Sequence, residues 1–166
     1  MKQRIFPALM MLALIAPPTY AASLPARAPG LWKSVTTVLG ANGQPMAGAG
    51  HVVTVSCVDA LTDHKFFMDD ASACSSLKLS GADGHYKIEG TCQRQGRPAK
   101  ISETLDYVGA KAVTLSARLV DGGQSMTVTS KLSWQGACLP GMNPGDIGII
   151  AHGVFHKAGN IEDQNH

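Results

Sequence analysis

The sequence predicts an all-β protein: an antiparallel up-and-down meander of about seven strands, forming a strongly curved sheet or partly open barrel, with a short helical or loop insertion. Two observations predict it. Between His85 and Trp134 four segments alternate apolar and polar residues. Side chains on a strand point alternately to opposite faces, so each segment offers one side to a core and the other to water. The joins Gly96-Arg97-Pro98, Gly109-Ala110-Lys111 and Asp121-Gly122-Gly123 are of hairpin length. Such short joins force antiparallel neighbours, because a parallel pair needs a long crossover.

The alternation can be followed residue by residue. Tyr86, Ile88 and Cys92 share one face; Ile101, Leu105 and Tyr107 share another, broken only by Glu103. Val113, Leu115, Ala117 and Leu119 form the third apolar row, and Met126, Val128, Leu132 and Trp134 the fourth. Upstream, Leu31–Leu39 is the first strand, carried by the β-branched run Val35-Thr36-Thr37-Val38. Glycines at 40, 43, 48 and 50 around Pro45 mark a mobile loop. His51–Val58 follows as the second strand, with Val53, Val55 and Cys57 on one face, and Cys74–Leu79 is a short third strand. Between them lies the insertion, a turn or short helix containing the apolar cluster Phe66-Phe67-Met68. The turn Gly81-Ala82-Asp83-Gly84 leads into the meander.

The domain occupies residues 31–146, preceded by a flexible Pro/Ala-rich lead-in at 22–30. Residues 147–166 form a C-terminal tail; the stretch Asp146–Ala158, which begins at the domain's last residue, is a short helix or a strand laid on the sheet, and Asn160–His166 is polar and disordered. Residues 1–21 have the layout of a signal peptide: a basic opening with Lys2 and Arg4, an apolar run from Ile5 to Ala16, and small residues up to Ala21 and Ala22, where cleavage is expected. That run is too short to span a bilayer, so after cleavage the chain is not an integral membrane protein. Loss of Lys2 and Arg4 leaves 12 basic residues against 12 acidic ones. This neutrality speaks against nucleic acid as a partner, since phosphate binding needs clustered positive charge. A periplasmic or secreted location follows.

In that compartment four cysteines, Cys57, Cys74, Cys92 and Cys138, imply two disulfides. Spacing alone leaves all three pairings open. Parity favours Cys92 with Cys138, since both continue apolar faces, and by remainder Cys57 with Cys74. No spacing matches a zinc signature.

Other reactive residue types are also weighed. His152 and His156 would share a helix face and hold a metal if their segment were helical, but Gly148, Gly153 and Gly159 argue against that helix. Asp59, Asp63, His64, Asp69 and Asp70 form an acidic loop without the alternating ligand spacing that calcium needs. There is no G-x-S-x-G, Walker, GxGxxG or HExxH pattern. The expectation is therefore no catalytic, cofactor or metal residues. Trp32, Tyr86, Tyr107 and Trp134 are core aromatics that would line a ligand cavity if the curved sheet leaves one.

Several features together resemble the exported bacterial family numbered 3617 among the domains of unknown function. They are Pro29-Gly30-Leu31-Trp32 opening the first strand, a cysteine ending the second, a third cysteine closing a strand before a glycine turn, and Trp134-Gln135-Gly136-Ala137-Cys138 followed by Met142-Asn143-Pro144-Gly145-Asp146. The resemblance covers roughly 28–146. It implies an exported β-rich domain and supplies no catalytic residues. The leading functional expectation is a non-enzymatic envelope protein that binds a small apolar ligand or another envelope protein. A structural or stress-related accessory module acting through the Gly40–Gly50 loop comes second, and a periplasmic hydrolase third.

Overall fold

The computed structural model describes residues 22–48, 50–68, 74–94 and 96–165. The expected leader, Asp69, Asp70 and His166 lie outside the described residues. The elements are β1 (Gly30–Leu39), β2 (Val52–Val58), α1 (Lys65–Met68), β3 (Lys78–Ala82), β4 (His85–Arg94), β5 (Arg97–Val108), β6 (Ala112–Asp121), β7 (Gln124–Gly136), β8 (Asp146–Ala151) and β9 (Val154–Asn160), closed by a 3-10 turn at Ile161–Asn165. Among the described residues nine strands form one antiparallel sheet, ordered β3-β4-β5-β6-β7-β1-β2-β8-β9. Its two ends, β3 and β9, do not meet. The all-β expectation holds, as an open sheet rather than a barrel.

The meander is real from β3 to β7, but the strands are not sequential throughout. β1 lies between β7 and β2, paired to both, so after β2 the chain passes to the far edge at β3 and the meander returns strand by strand to β1. The strand count rises from the expected seven to nine because residues 146–160, read mainly as a tail, form a hairpin that extends the sheet beyond β2. Its turn is His152-Gly153, both with positive φ of 51° and 78°, the geometry that matches the twist of a two-residue hairpin. A helix carrying His152 and His156 is thereby replaced. The third strand begins four residues later than expected, and Cys74 meets Cys92 through an isolated bridge.

The polar end is fastened rather than loose as far as it is described. Asn160 is buried and donates to the Pro144 carbonyl at 2.9 Å and to Asp146 Oδ1 at 2.8 Å. Buried Asp146 also accepts from the Asn143 amide and pairs with Lys157.

Register assigns the faces. Trp32, Ser34, Thr36 and Val38 of β1 stand opposite Trp134, Leu132, Ser130 and Val128 of β7. Those residues stand in turn opposite Val113, Leu115 and Ala117 of β6, which face Tyr107, Leu105 and Glu103 of β5, which face Tyr86 and Ile88 of β4. All four apolar rows read from the meander therefore share one sheet face. On β2 the inward residues are Thr54, Ser56 and Val58, whereas Val53, Val55 and Cys57 point to the opposite, outer face with Leu31 and Val35.

The connection from β2 to β3 must cross the sheet from one side to its far edge, and it carries α1 over the inward face. Val58 on β2, Ile88 on β4, Trp32, Leu105 and Val113 form one buried cluster, with Phe66 and Phe67 packed on it. β2 and β4 stand five places apart in the strand order, about 24 Å on a flat sheet. Their joining in one cluster makes this face concave around α1.

Both disulfides form, with a different pairing from the one parity favoured: Cys57 with Cys138 and Cys74 with Cys92. The physical reason is a bulge in β7. Trp32 pairs with Trp134, yet Leu31 pairs with Gly136, so Gln135 is the extra residue and the alternation flips beyond it. Even-numbered positions after Trp134 then leave the concave face. Cys138 reaches the outer side, where Cys57 lies, and inward-facing Cys92 is left to Cys74. The bulge also explains the glycine of Pro29-Gly30-Leu31-Trp32: Gly30 has φ +128°, and a Cβ there would lie 2.1 Å from the Gly136 carbonyl oxygen.

Candidate binding face

The concave face has a closed end and an open end. At the closed end, residues 27–29 are held in place rather than forming a free lead-in. The Ala28 amide donates to the Ala110 carbonyl at 2.7 Å. The Trp32 indole donates to the Ala28 carbonyl at 2.8 Å and the Trp134 indole to that of Pro29 at 2.9 Å. Arg27 enters beneath α1. Its side chain is wholly buried, Nε donates to Asp63 Oδ1 at 2.6 Å, and the Arg27 amide donates to Asp63 Oδ2 at 2.8 Å. The guanidinium carbon lies 4.9 Å from the ring centre of Trp32, 5.2 Å from that of Phe66 and 4.5 Å from that of Phe67. Burial lowers its pKa and the hydrogen bond and charge of Asp63 oppose that shift; a guanidinium nonetheless stays cationic. At the far end of α1's reach, Tyr107 packs edge-on to Phe67 and Tyr86, and burial pushes its hydroxyl up to about 12.

Next to Arg27 is a cavity of about 190 Å³, walled by Phe66, Phe67, Leu115 and Leu132 and by the hydroxyls of Ser34, Thr54, Ser56 and Ser130. Among the described residues Arg27 Nη1, buried, has no hydrogen-bond partner. Nε and Nη2 both turn to Asp63, so Nη1 is the free edge of the fork.

Beyond α1 the concave face continues uncovered. Val38, Val128, Ala117, Met126, Leu119 and Ile101 are half-buried and run to a hollow of about 750 Å³ lined by Leu119, Met126, Arg97, Asp121 and the β1–β2 loop from Gly40 to Met46. Glu103, the one residue that breaks the apolar row of β5, stands on this face between Ile88 and Ala117. Its Oε1 is buried without a partner among the described residues, and desolvation raises its pKa to about 7.

The four aromatics expected to line a ligand all lie on the concave face. They gather at its closed end: Trp32 is 1% exposed within the core, and Tyr86, Tyr107 and Trp134 pack around it. They wall the plugged half, and none of the four lines either hollow. His152 sits in the β8–β9 turn and His156 on β9. Among the described residues no three His, Cys, Asp or Glu side chains cluster to hold a metal ion. Sequence reasoning missed Arg27 and the hydroxyl row. Arg27 looked like part of a loose lead-in, and Ser34, Thr54 and Ser56 lie on strands whose inward face was unassigned or assigned to the other side. Glu103 was visible as an interruption.

Fold and site together define a small antiparallel β-protein: one open sheet, stapled by two disulfides, with a concave face on which a short helix packs through Phe66 and Phe67. The chain belongs to the family described as Protein of unknown function (DUF3617), which matches residues 27–138. The match runs from the buried arginine to the last cysteine, so β8 and β9 lie outside it. No curated protein and no solved structure matches the chain.

Proposed function

We propose that this is an exported, non-enzymatic binding protein that holds a small apolar molecule on the open half of its concave face. The observation that carries this reading is the uninterrupted half-buried row Val38, Val128, Ala117, Met126 and Leu119, which α1 leaves uncovered and which ends in the 750 Å³ hollow. Ligand sites for small molecules are concave, with an apolar wall and a few placed polar groups; here the row supplies the apolar wall, and Arg97, Asp121 and Gln124 supply polar groups at the hollow. Export is supported by the two disulfides, which persist in oxidising compartments, and by the leader-like layout of residues 1–21. No helix among the described residues is long and apolar enough to cross a membrane.

The test is fluorescence titration of the mature, oxidised protein with the neutral apolar probe N-phenyl-1-naphthylamine. Saturable binding is expected, weakened at least tenfold by Val128→Lys on the concave face and unchanged by Thr127→Lys on the outer face. Absence of saturable binding, or equal loss in both variants, overturns the reading.

A further inference from the structure

The cavity beside Arg27 gives the ligand a chemical class. Resting on the binding reading above, we infer that this cavity takes the carboxylate head of a single-chain amphiphile, whose tail lies along the open concave face. Three features point the same way. First, Arg27 is buried, its Nε and Nη2 engaged by Asp63, and Nη1 has no partner among the described residues. The rings of Trp32, Phe66 and Phe67 stabilise the cation, but its desolvated Nη1 edge lacks a hydrogen bond, and an anionic oxygen supplies the strongest one. Second, the cavity wall opposite the aromatic rings is hydroxylic. Ser34, Thr54, Ser56 and Ser130 donate or accept as required, so the second oxygen of a carboxylate also finds donors. Ser34 and Ser130 are tied to Thr36, which leaves Thr54 and Ser56 as the free hydroxyls, and a purely apolar ligand would leave Arg27 Nη1 unsatisfied.

Third, size and position restrict the head. At about 190 Å³ the cavity has room for a carboxylate with its first methylenes. From Ser130 at the cavity to Met126 at the larger hollow is four residues of β7, about 13 Å along a strand. That path, over Val128 and flanked by Val38 and Ala117, fits a medium-length alkyl tail. Asp63 faces the same guanidinium but is occupied by it, so the site keeps a cationic edge without a full unpaired charge.

The experiment is calorimetric titration of the oxidised mature protein at pH 8 with dodecanoate, methyl dodecanoate and dodecan-1-ol. The acid is expected to bind at least tenfold more tightly than either neutral analogue. Thr54→Val, isosteric and at a cavity-wall residue that is hydrogen-bonded to neither Arg27 nor Asp63, should weaken the acid several-fold and leave the ester unchanged. Arg27→Gln should abolish the preference, and where its circular dichroism departs from that of the parent, the Thr54→Val result stands in its place. Equal affinity for acid and ester overturns the head-group assignment while leaving the concave-face reading intact. Failure of all three ligands to bind overturns both. Preference for the acid that survives in both Thr54→Val and a folded Arg27→Gln overturns the placement of the head.

Discussion

Glu103 should make the folded state weaker as pH rises from 4.5 to about 7. Its carboxyl stands on the concave face between Ile88 and Ala117, Oε1 without a partner among the described residues, and desolvation lifts its pKa from 4.5 to about 7. The folded state therefore holds its proton more tightly than the unfolded chain does. Below pH 4.5 both states are protonated, and Glu103→Gln should have nearly the parent's stability. Between pH 4.5 and about 7 the unfolded chain ionises first, so the parent loses stability relative to the Gln variant. Above about pH 7 the difference levels off. At roughly 1.4 kcal/mol for each tenfold change in ionisation constant, and with the group half-buried, the plateau is about 2–3 kcal/mol. For a domain of this size that is on the order of 5–10 °C in Tm. Urea unfolding of both proteins at pH 4, 5.5 and 8, followed by tryptophan fluorescence, measures it. Parallel stabilities at all three pH values, or a Gln variant less stable at pH 8, would refute the assignment of Glu103 to a desolvated site.

Three further outcomes follow from the packing. Gly30→Ala should destabilise by about 1–3 kcal/mol, because the residue has positive φ and its Cβ would meet the Gly136 carbonyl; chemical denaturation reads this, and an unchanged midpoint would remove the bulge argument. Replacing Cys57 and Cys138 with serine should cost about 4–5 kcal/mol, and replacing Cys74 and Cys92 about 3, since the first pair closes a separation of 81 residues and the second 18. Non-reducing peptide mapping should recover those two linked pairs, and a Cys92–Cys138 peptide would contradict the fold. Asp63→Asn should cost about 3–5 kcal/mol by leaving buried Arg27 without its counter-charge. Its thermal melt should also show whether α1 loosens, and a variant as stable as the parent would mean that the pair does not hold α1 down.

The meander was legible because the cause is local. Alternation of period two in Ile101–Tyr107, Val113–Leu119 and Met126–Trp134 requires only that one side of each strand meet a core, and hairpin joins fix antiparallel neighbours. β1 was harder, since Ser34 and Thr36 on its inward side, with Thr36 hydrogen-bonded to Ser130 at 2.6 Å, dilute the apolar signal. β2 misled for another reason. Its apolar residues Val53, Val55 and Cys57 do share a face, but it is the outer one, and alternation cannot say which side a separate strand turns inward. The β8–β9 hairpin was hidden because its own apolar residues, Ile149, Ile150 and Val154, stay exposed, so no clean one-sided pattern marks it.

From the residues alone came the class of protein: strands with one apolar side, short antiparallel joins, and an even number of cysteines behind a leader-like segment. Only tertiary structure decided that β1 sits between β7 and β2, that one extra residue at Gln135 turns Cys138 to the outer side, and that Arg27 is buried under α1 beside a hydroxyl-lined cavity. The division has a physical origin. Side-chain alternation is set by the backbone within a few residues, whereas strand order, cysteine pairing and the company of a buried charge depend on segments far apart in the chain, which the sheet brings together only as it closes on its core.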